Sequence, residues 1–194
     1  IQTRKAAALL GATPQDRPEG MAIHPQTGDI FISCTNNETK QRPYGKILKI
    51  TETHSDYLSL TFKVSNFVVG GKQFNFASPD NLVFDSQGNL WCTTDTSGKD
   101  LNRDAYSGMG GNALYIIPTQ GSKAGMPIRV GSAPAGGEFT GPTFIDSHTM
   151  PISLQHPGEH QKVKSQWQSQ VLVLNLSKNS LRERNSRIFS PHKI

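Results

Sequence analysis

A pattern that repeats every 61 residues is the feature that most limits how this 194-residue chain can fold. Each copy begins with a polar or acidic signature, followed by a short apolar strand, a turn containing Gly or Asp, a second strand and a polar cluster. The copies align at Glu19, Asp80 and Gly141. Turn signals that arose by chance would rarely keep such a constant spacing, so the pattern indicates a structural repeat.

Each copy is completed by a further β-run, which predicts at least three strands per unit. The runs that close the three copies are residues 45–50, 112–117 and 170–176, and a fourth strand is predicted at residues 60–64 of the first copy. Antiparallel sheets of about four strands repeated around an axis are the blades of a β-propeller. The predicted fold is therefore all-β, with about three blades in residues 1–176 and a short helix possible at residues 3–10.

The composition agrees with an all-β chain, because only 18% of the residues are charged while 18 are Gly and 12 are Pro. No apolar run approaches the roughly 18 residues needed to span a bilayer. Nucleic-acid binding is not expected despite the net charge of +5, because the basic residues crowd the last 17 positions rather than forming a stripe. Residues 177–194 are predicted to be a basic, disordered tail.

The two cysteines, Cys34 and Cys92, each lie within an apolar, strand-like run. Two buried structural thiols are the interpretation that we favour. Without a CxxC pair they do not form a zinc site by themselves.

Oxygen-bearing side chains recur at the same place in successive copies, and they are the candidate metal ligands. Residues at equivalent positions of propeller blades meet around the central channel, and Ca²⁺ takes six to eight oxygen ligands. The candidates are Glu19, Asp80, Glu138, Asn36 and Asn81. The alternative is that the Asp and Asn residues only form turns, as the Pro-Asp-Asn sequence often does at the start of a strand.

Two further residues are candidates for direct catalytic roles. Arg17 lies two positions before Glu19, where its guanidinium could bind phosphate oxygens in a fork while the neighbouring carboxylate holds a metal ion. His156 lies close to the carboxylate of Glu159 and could act as a ligand or general acid. A histidine beside a Pro turn is also commonly a surface or structural residue, so that alternative stays open.

Several motifs together resemble those of the PhoX-type alkaline phosphatases, in the same order along the chain. They are Gly-Ala-Thr-Pro at 11–14, Asp-Arg-Pro-Glu at 16–19, Thr-Asn-Asn at 35–37, Pro-Tyr-Gly at 43–45, Ser-Pro-Asp-Asn-Leu at 78–82, Gly-Asn-Leu-Trp at 88–91, Phe-Thr-Gly-Pro-Thr-Phe at 139–144 and Gln-His-Pro-Gly-Glu at 155–159. The resemblance covers residues 1–176.

The resemblance implies a six-bladed propeller that hydrolyses phosphate monoesters with calcium and ferric ions in its channel. It carries phosphate binding onto Arg17 and metal binding onto Glu19, and less firmly onto Asp80 and Glu138. It places the iron ligands upstream of Ile1. It also implies export to the periplasm or the cell exterior and a monomeric full-length protein that acts on small molecules.

Two other function classes stay open from the sequence. One is a propeller that binds other proteins without catalysis, because a fold alone does not settle function. The other is a calcium-dependent lactonase, whose channel is also lined by acidic and Asn ligands. Metal content separates the first from an enzyme, and a lactone assay run beside a phosphomonoester assay separates the second.

We predict that the 194-residue chain alone has little or no phosphatase activity, whereas the full-length protein hydrolyses an activated phosphomonoester when calcium is present. Calcium requires six to eight oxygens, and this chain offers three strong carboxylate candidates and a few amides. A colorimetric assay of both proteins with and without calcium checks this. Full calcium-dependent activity in the isolated chain would contradict it.

Overall fold

The computed structural model describes residues 2–53, 58–159 and 170–176. In this part of the chain, helix α1 (Thr3–Leu9) precedes eleven strands, and a short 3₁₀-helix (Asp104–Tyr106) lies between the sixth and seventh strands. The strands are β1 (Pro18–Ile23), β2 (Ile30–Cys34), β3 (Lys46–Glu52), β4 (Phe62–Val69), β5 (Pro79–Phe84), β6 (Leu90–Thr94), β7 (Ala113–Ile117), β8 (Ile128–Ser132), β9 (Glu138–Thr140), β10 (Thr149–Gln155) and β11 (Gln170–Asn175).

The strands form three antiparallel sheets, in which each strand pairs with the next along the chain. The first sheet has the order β1-β2-β3-β4, the second β5-β6-β7-β8, and the third β9-β10-β11. Strand β1 contacts β5, and β9 contacts β6, so the second sheet lies between the other two. Consecutive meander sheets stacked in this way are propeller blades, which confirms the predicted fold class.

Tight turns join the first two strands of the first and second sheets, as the repeat predicts. Gly28 and Gly88 occupy equivalent positions in these turns with φ of +72° and +80°, a conformation that glycine adopts without steric cost. In the second turn, the Asp85 carboxylate accepts hydrogen bonds from the backbone N–H groups of Gln87 (2.9 Å) and Asn89 (2.8 Å). The Gly and Asp residues of each copy therefore close the hairpin.

Two apolar cores hold the three sheets together. Alternation along β6 divides its side chains between them, because successive residues of a strand point to opposite faces. Leu90 and Cys92 pack in the core against the first sheet, and Trp91 packs in the core against the third. Cys34 and Cys92 are both buried and neither forms a disulfide, as predicted.

The faces of the outer sheets that point away from the second sheet also carry apolar residues. On β1, Ala22 packs into the first core, while Met21 and Ile23 on the opposite face are 64% and 58% exposed. On β11, Val171 and Val173 are exposed in the same manner. The outer sheets thus carry apolar residues on both faces.

The structure differs from the sequence predictions at two places. The first strand of the third unit is Glu138–Thr140, ahead of Gly141, the position at which the third copy of the repeat aligns. It ends there because Gly141 has a φ of +59° and Pro142 lacks the N–H needed to continue a ladder. The second difference is β8, a fourth strand of the second sheet that the sequence analysis did not identify. The predicted disordered tail, 177–194, lies outside the described residues.

The first and second sheets approach each other closely at Gly20. A methyl group at this position would lie 2.3 Å from the carbonyl oxygen of Asp80 and 3.1 Å from the Ser33 Oγ. The Ser33 hydroxyl accepts a hydrogen bond from the Gly20 N–H (2.7 Å) and also bonds the Asp80 carbonyl. Any side chain at position 20 would force these two sheets apart.

We predict that Gly20→Ala in the intact protein lowers the free energy of unfolding by about 1–3 kcal/mol, because overpacking displaces backbone. Gly111→Ala is the matched control, since its added methyl meets nothing closer than the Ala133 carbonyl oxygen at 3.7 Å. Urea unfolding of both variants measures the difference. Equal stability of the two variants would show that the sheets can separate here without cost.

Candidate functional site

An open cleft of about 390 Å³ lies where the ends of the three sheets meet. Segments of all three sheets line it, most of them loops at the ends of strands. The lining residues include Arg17, Asn36 and Glu38 from the first sheet, residues 95–100, Tyr106 and Asn112 from the second, and Gly136, Glu138, His156 and Glu159 from the third. Four of the predicted site residues, Arg17, Asn36, Glu138 and His156, therefore share one cleft.

A repeated backbone irregularity sets the positions of Glu19 and Asp80. The pairing of β1 with β2 shifts between Pro18 and Met21, and the pairing of β5 with β6 shifts between Pro79 and Leu82. Bulges of this kind bend a strand and re-aim its side chains. Glu19 and Asp80 both lie within these irregular segments, at equivalent positions of neighbouring blades.

The residues that precede the two bulges also share an uncommon backbone conformation. Arg17 and Ser78 have φ of +50° and +52°. The Arg17 carbonyl accepts a hydrogen bond from the Thr35 N–H (3.0 Å), and the Ser78 carbonyl accepts one from the Asp95 N–H (2.9 Å). Positive φ at non-glycine residues clusters at functional sites, where surrounding contacts maintain it.

Arg17 supplies a guanidinium to the cleft. Its Nη1 donates to the Asn36 Oδ1 (3.2 Å), and its Nη2 donates to the Glu19 Oε1 (3.2 Å) and lies 4.0 Å from the Asp95 Oδ2. A guanidinium has five N–H donors, more than these partners use. About half of the side chain is exposed, so donors remain accessible to an anion in the cleft.

Three of the predicted ligands, Glu19, Asp80 and Glu138, belong to a cluster of carboxylates that repel one another. Burial, together with the charges of Asp95 and Glu19, raises the pKa of Asp80 to about 6, although Arg17 opposes the shift. Burial also raises the pKa of Glu138 to about 8, with further contributions from a hydrogen bond to Asp95 and from nearby negative charges. Glu19, Asp80, Asp95 and Glu138 therefore influence one another across all three sheets.

The donor chemistry of this cluster fits a hard cation such as calcium. Carboxylate and amide oxygens are the ligands that Ca²⁺ prefers, and a bound cation would offset the repulsion that raises the two pKa values. Within the described ranges, however, no three His, Cys, Asp or Glu side chains are arranged closely enough to hold a metal ion by themselves. The chain offers a partial ligand set for calcium. Its buried Cys34 and Cys92 offer no such set for iron.

His156 lies between two carboxylates at the wall of the cleft. Its Nε2 is 3.9 Å from the Glu138 Oε1, and its Nδ1 is 3.6 Å from the Glu159 Oε2. These are ion-pair distances if the ring is protonated, and both are too long for direct hydrogen bonds. The side chain is 57% exposed, so the ring is accessible from the cleft.

The two predicted asparagine ligands have different surroundings. Asn36 is buried beside Arg17 at the cleft. The Asn81 Oδ1 accepts hydrogen bonds from the Thr140 Oγ1 (2.7 Å) and the Gly141 N–H (2.6 Å), so Asn81 joins the second sheet to the third. Both acceptor positions of this oxygen are engaged in this arrangement.

Sequence reasoning missed Asp95, which lies at the centre of the cluster. The repeat pattern could have identified Asp95, because this residue ends the polar run after β6 just as Asn36 follows β2. Glu159 was noted beside His156 but not assigned as a site residue. Their proximity to Glu138 depends on how the second and third sheets pack, which a repeat pattern does not encode.

Comparisons with known proteins agree on one family. The model of the PhoX alkaline phosphatase family matches residues 1–158. The solved structure of Pseudomonas fluorescens PhoX in complex with vanadate, a transition state analogue, is similar with a TM-score of 0.73 and 29% identity, over 88% of this chain and 35% of that chain. The present chain thus spans about a third of the length of that enzyme.

A luciferin-regenerating enzyme is a more distant structural match, with a TM-score of 0.48 and 14% identity over 76% of this chain and 40% of that chain. This similarity is too low to indicate function. No curated protein sequence matches the chain. None of the helices in the described residues is long and apolar enough to cross a membrane.

We predict that Asp95→Asn lowers the pKa values of Glu138 and Asp80, because it removes a negative charge near both. Burial should still hold both above their ordinary values. Titration of the calcium-free protein, followed by NMR of ¹³C-labelled carboxyl groups, measures the shifts. Asp104→Asn removes an exposed charge outside the cleft lining and is the control. A pKa of Glu138 that stays at about 8 in Asp95→Asn would rule out this interaction.

Proposed function

Because the chain belongs to the PhoX alkaline phosphatase family, we propose that its cleft forms part of the active site of a phosphatase that hydrolyses phosphate monoesters with the help of calcium. The observation that carries the proposal is the pairing of an accessible guanidinium, Arg17, with a cluster of carboxylates from three sheets. A guanidinium that can bind an anion, next to carboxylates that can bind a cation, suits a phosphoryl group. Both the guanidinium and the bound cation could contact the phosphoryl oxygens.

Arg17 binds the phosphate in this proposal. Its planar guanidinium matches two phosphate oxygens, and a fork of two parallel hydrogen bonds fixes orientation as well as charge. The bonds to Glu19 and Asn36 hold the guanidinium at the mouth of the cleft before substrate arrives. Positioning and charge stabilisation are the main requirements of phosphoryl transfer.

Glu19, Asp80, Glu138 and Asn36 would hold calcium, with Asp95 as an added candidate from the structure. Bound calcium supplies Lewis-acid stabilisation of the charge that develops on the phosphoryl oxygens. Asn81 remains a weaker proposal, because its side-chain oxygen already accepts two hydrogen bonds. Iron is expected from the family resemblance alone, and we assign no residue of this chain to it.

His156 is proposed to move a proton. It lies at the cleft wall, with its Nε2 facing the Glu138 carboxylate and its Nδ1 facing the Glu159 carboxylate. A protonated His156 would give its proton to the leaving-group oxygen as the ester bond breaks, which avoids release of an unstable alkoxide. This assignment rests on position only.

The setting of the whole protein is also proposed from the family. We expect an exported, monomeric enzyme in the periplasm or outside the cell, which acts on small phosphate monoesters. The rival functions, a binding scaffold and a calcium-dependent lactonase, would give no phosphatase activity. Assays of phosphomonoester and lactone hydrolysis on the same preparation, with and without a calcium chelator, decide among the three.

We predict that Arg17→Ala in the intact protein lowers kcat/KM for an activated phosphomonoester on the order of 100-fold, because a donor aimed at developing charge is lost. Arg17→Lys should recover only part of the loss, since an ammonium cannot form the fork. Arg4→Ala, on the exposed face of α1, is the control.

Glu19→Gln should depress turnover and weaken calcium binding. Unchanged kinetics in both the Arg17 and Glu19 variants would reject the assignment.

A further inference from the structure

Asn112 lies at the base of the cleft and joins the second sheet to the third. It directly precedes β7, is 3% exposed and contributes to the cleft lining. Its backbone carbonyl accepts a hydrogen bond from the Ala133 N–H (2.8 Å), which fixes it to the end of β8. The side chain therefore projects from a rigid part of the second sheet.

The side-chain amide of Asn112 is fully engaged. Its Oδ1 accepts hydrogen bonds from the Thr96 N–H (2.7 Å) and the Thr94 hydroxyl (3.4 Å). Its Nδ2 donates to the carbonyl oxygens of Thr96 (2.9 Å) and Gly137 (3.3 Å). An Asn side chain has two donors and two acceptor positions, so none remains for a metal ion or substrate.

The partners of Asn112 are the immediate neighbours of two cleft carboxylates. Thr96 follows Asp95, and Gly137 precedes Glu138. Bonds to both the N–H and the carbonyl of Thr96 fix the orientation of that peptide, while the bond to Gly137 ties the third sheet to the same side chain. One buried amide thus bridges the segments that carry Asp95 and Glu138.

We propose that Asn112 is a positioning residue, which sets the spacing of Asp95 and Glu138 for calcium binding without contacting the ion. The inference rests on the proposed function in that it assigns the cluster to calcium. Residues that orient metal ligands from behind typically change metal affinity by 10–100-fold when they are replaced. Asn112→Ala, which removes all four hydrogen bonds, should therefore weaken calcium binding by at least about tenfold.

Calorimetric calcium titration of the intact protein is the main measurement, with thermal unfolding of the calcium-free protein recorded in parallel. Asn89→Ala is the matched control, because the Asn89 amide donates to Asp85 (2.9 Å) in a turn of the same sheet. Both variants should lose thermal stability, and only Asn112→Ala should lose calcium affinity. An unchanged calcium Kd in Asn112→Ala, whatever its Tm, would overturn the proposal.

Asn112→Asp separates position from charge and serves if the alanine variant does not fold. It keeps the acceptor for the Thr96 N–H but loses the two amide donors, and when ionised it adds negative charge to the cleft wall. Attraction alone would tighten calcium binding, whereas displaced ligands would weaken it. A weaker calcium Kd supports positioning, and an equal or tighter Kd refutes it.

The test also distinguishes failure of this inference from failure of the proposed function. Amide hydrogen exchange at Thr96 in calcium-free protein reports the Asn112 contact directly, and it should accelerate in Asn112→Ala but not in Asn89→Ala. Wild-type protein that binds calcium without hydrolysing phosphomonoesters would refute the phosphatase proposal alone. Wild-type protein that binds no calcium would refute the positioning proposal as well.

Discussion

The close contact between the first two sheets at Gly20 constrains the rest of the molecule. The Ser33 hydroxyl bonds the backbone of both Gly20 and Asp80, and no side chain fits between the strands. This contact holds β1 beside β5, which brings the bulge around Glu19 next to the bulge around Asp80. The apolar cores supply most of the stabilisation through buried area, but they do not define the lateral register between blades as this short polar contact does.

The carboxylates around the cleft repel one another, and the surrounding structure holds them close together. Burying several carboxylates close together costs free energy, because each disfavours ionisation of the others. The raised pKa values of Asp80 and Glu138 express that cost. Arg17 offsets part of it, but its side chain is about half exposed and its attraction is correspondingly screened by solvent. Such an arrangement is reasonable in a site that acquires further positive charge, as a calcium-binding phosphatase would.

Strain and hydrogen bonding have complementary functions around this cluster. The positive φ of Arg17 and Ser78 directs the chain into each bulge, and backbone bonds from Thr35 and Asp95 maintain that conformation. On the opposite side, two asparagines join the second sheet to the third: the Asn112 Nδ2 donates to the Gly137 carbonyl, and the Asn81 Oδ1 accepts from Thr140 and Gly141. The cleft is therefore held by polar contacts between blades as well as by the cores beneath it.

The sequence predicts the all-β repeat, the hairpin turns and the equivalence of Glu19 and Asp80, because strand periodicity and turn residues act locally and recur at a fixed spacing. It also marked Arg17, Asn36, Glu138 and His156, which share the cleft. It could not assign Asp95 to the cluster, place β9 at Glu138, or separate Asn36 beside Arg17 from Asn81 between two sheets. Those outcomes depend on contacts between residues about 15–60 positions apart. Only the packing of one blade on the next decides them, since side-chain distances across a sheet interface are set by tertiary structure.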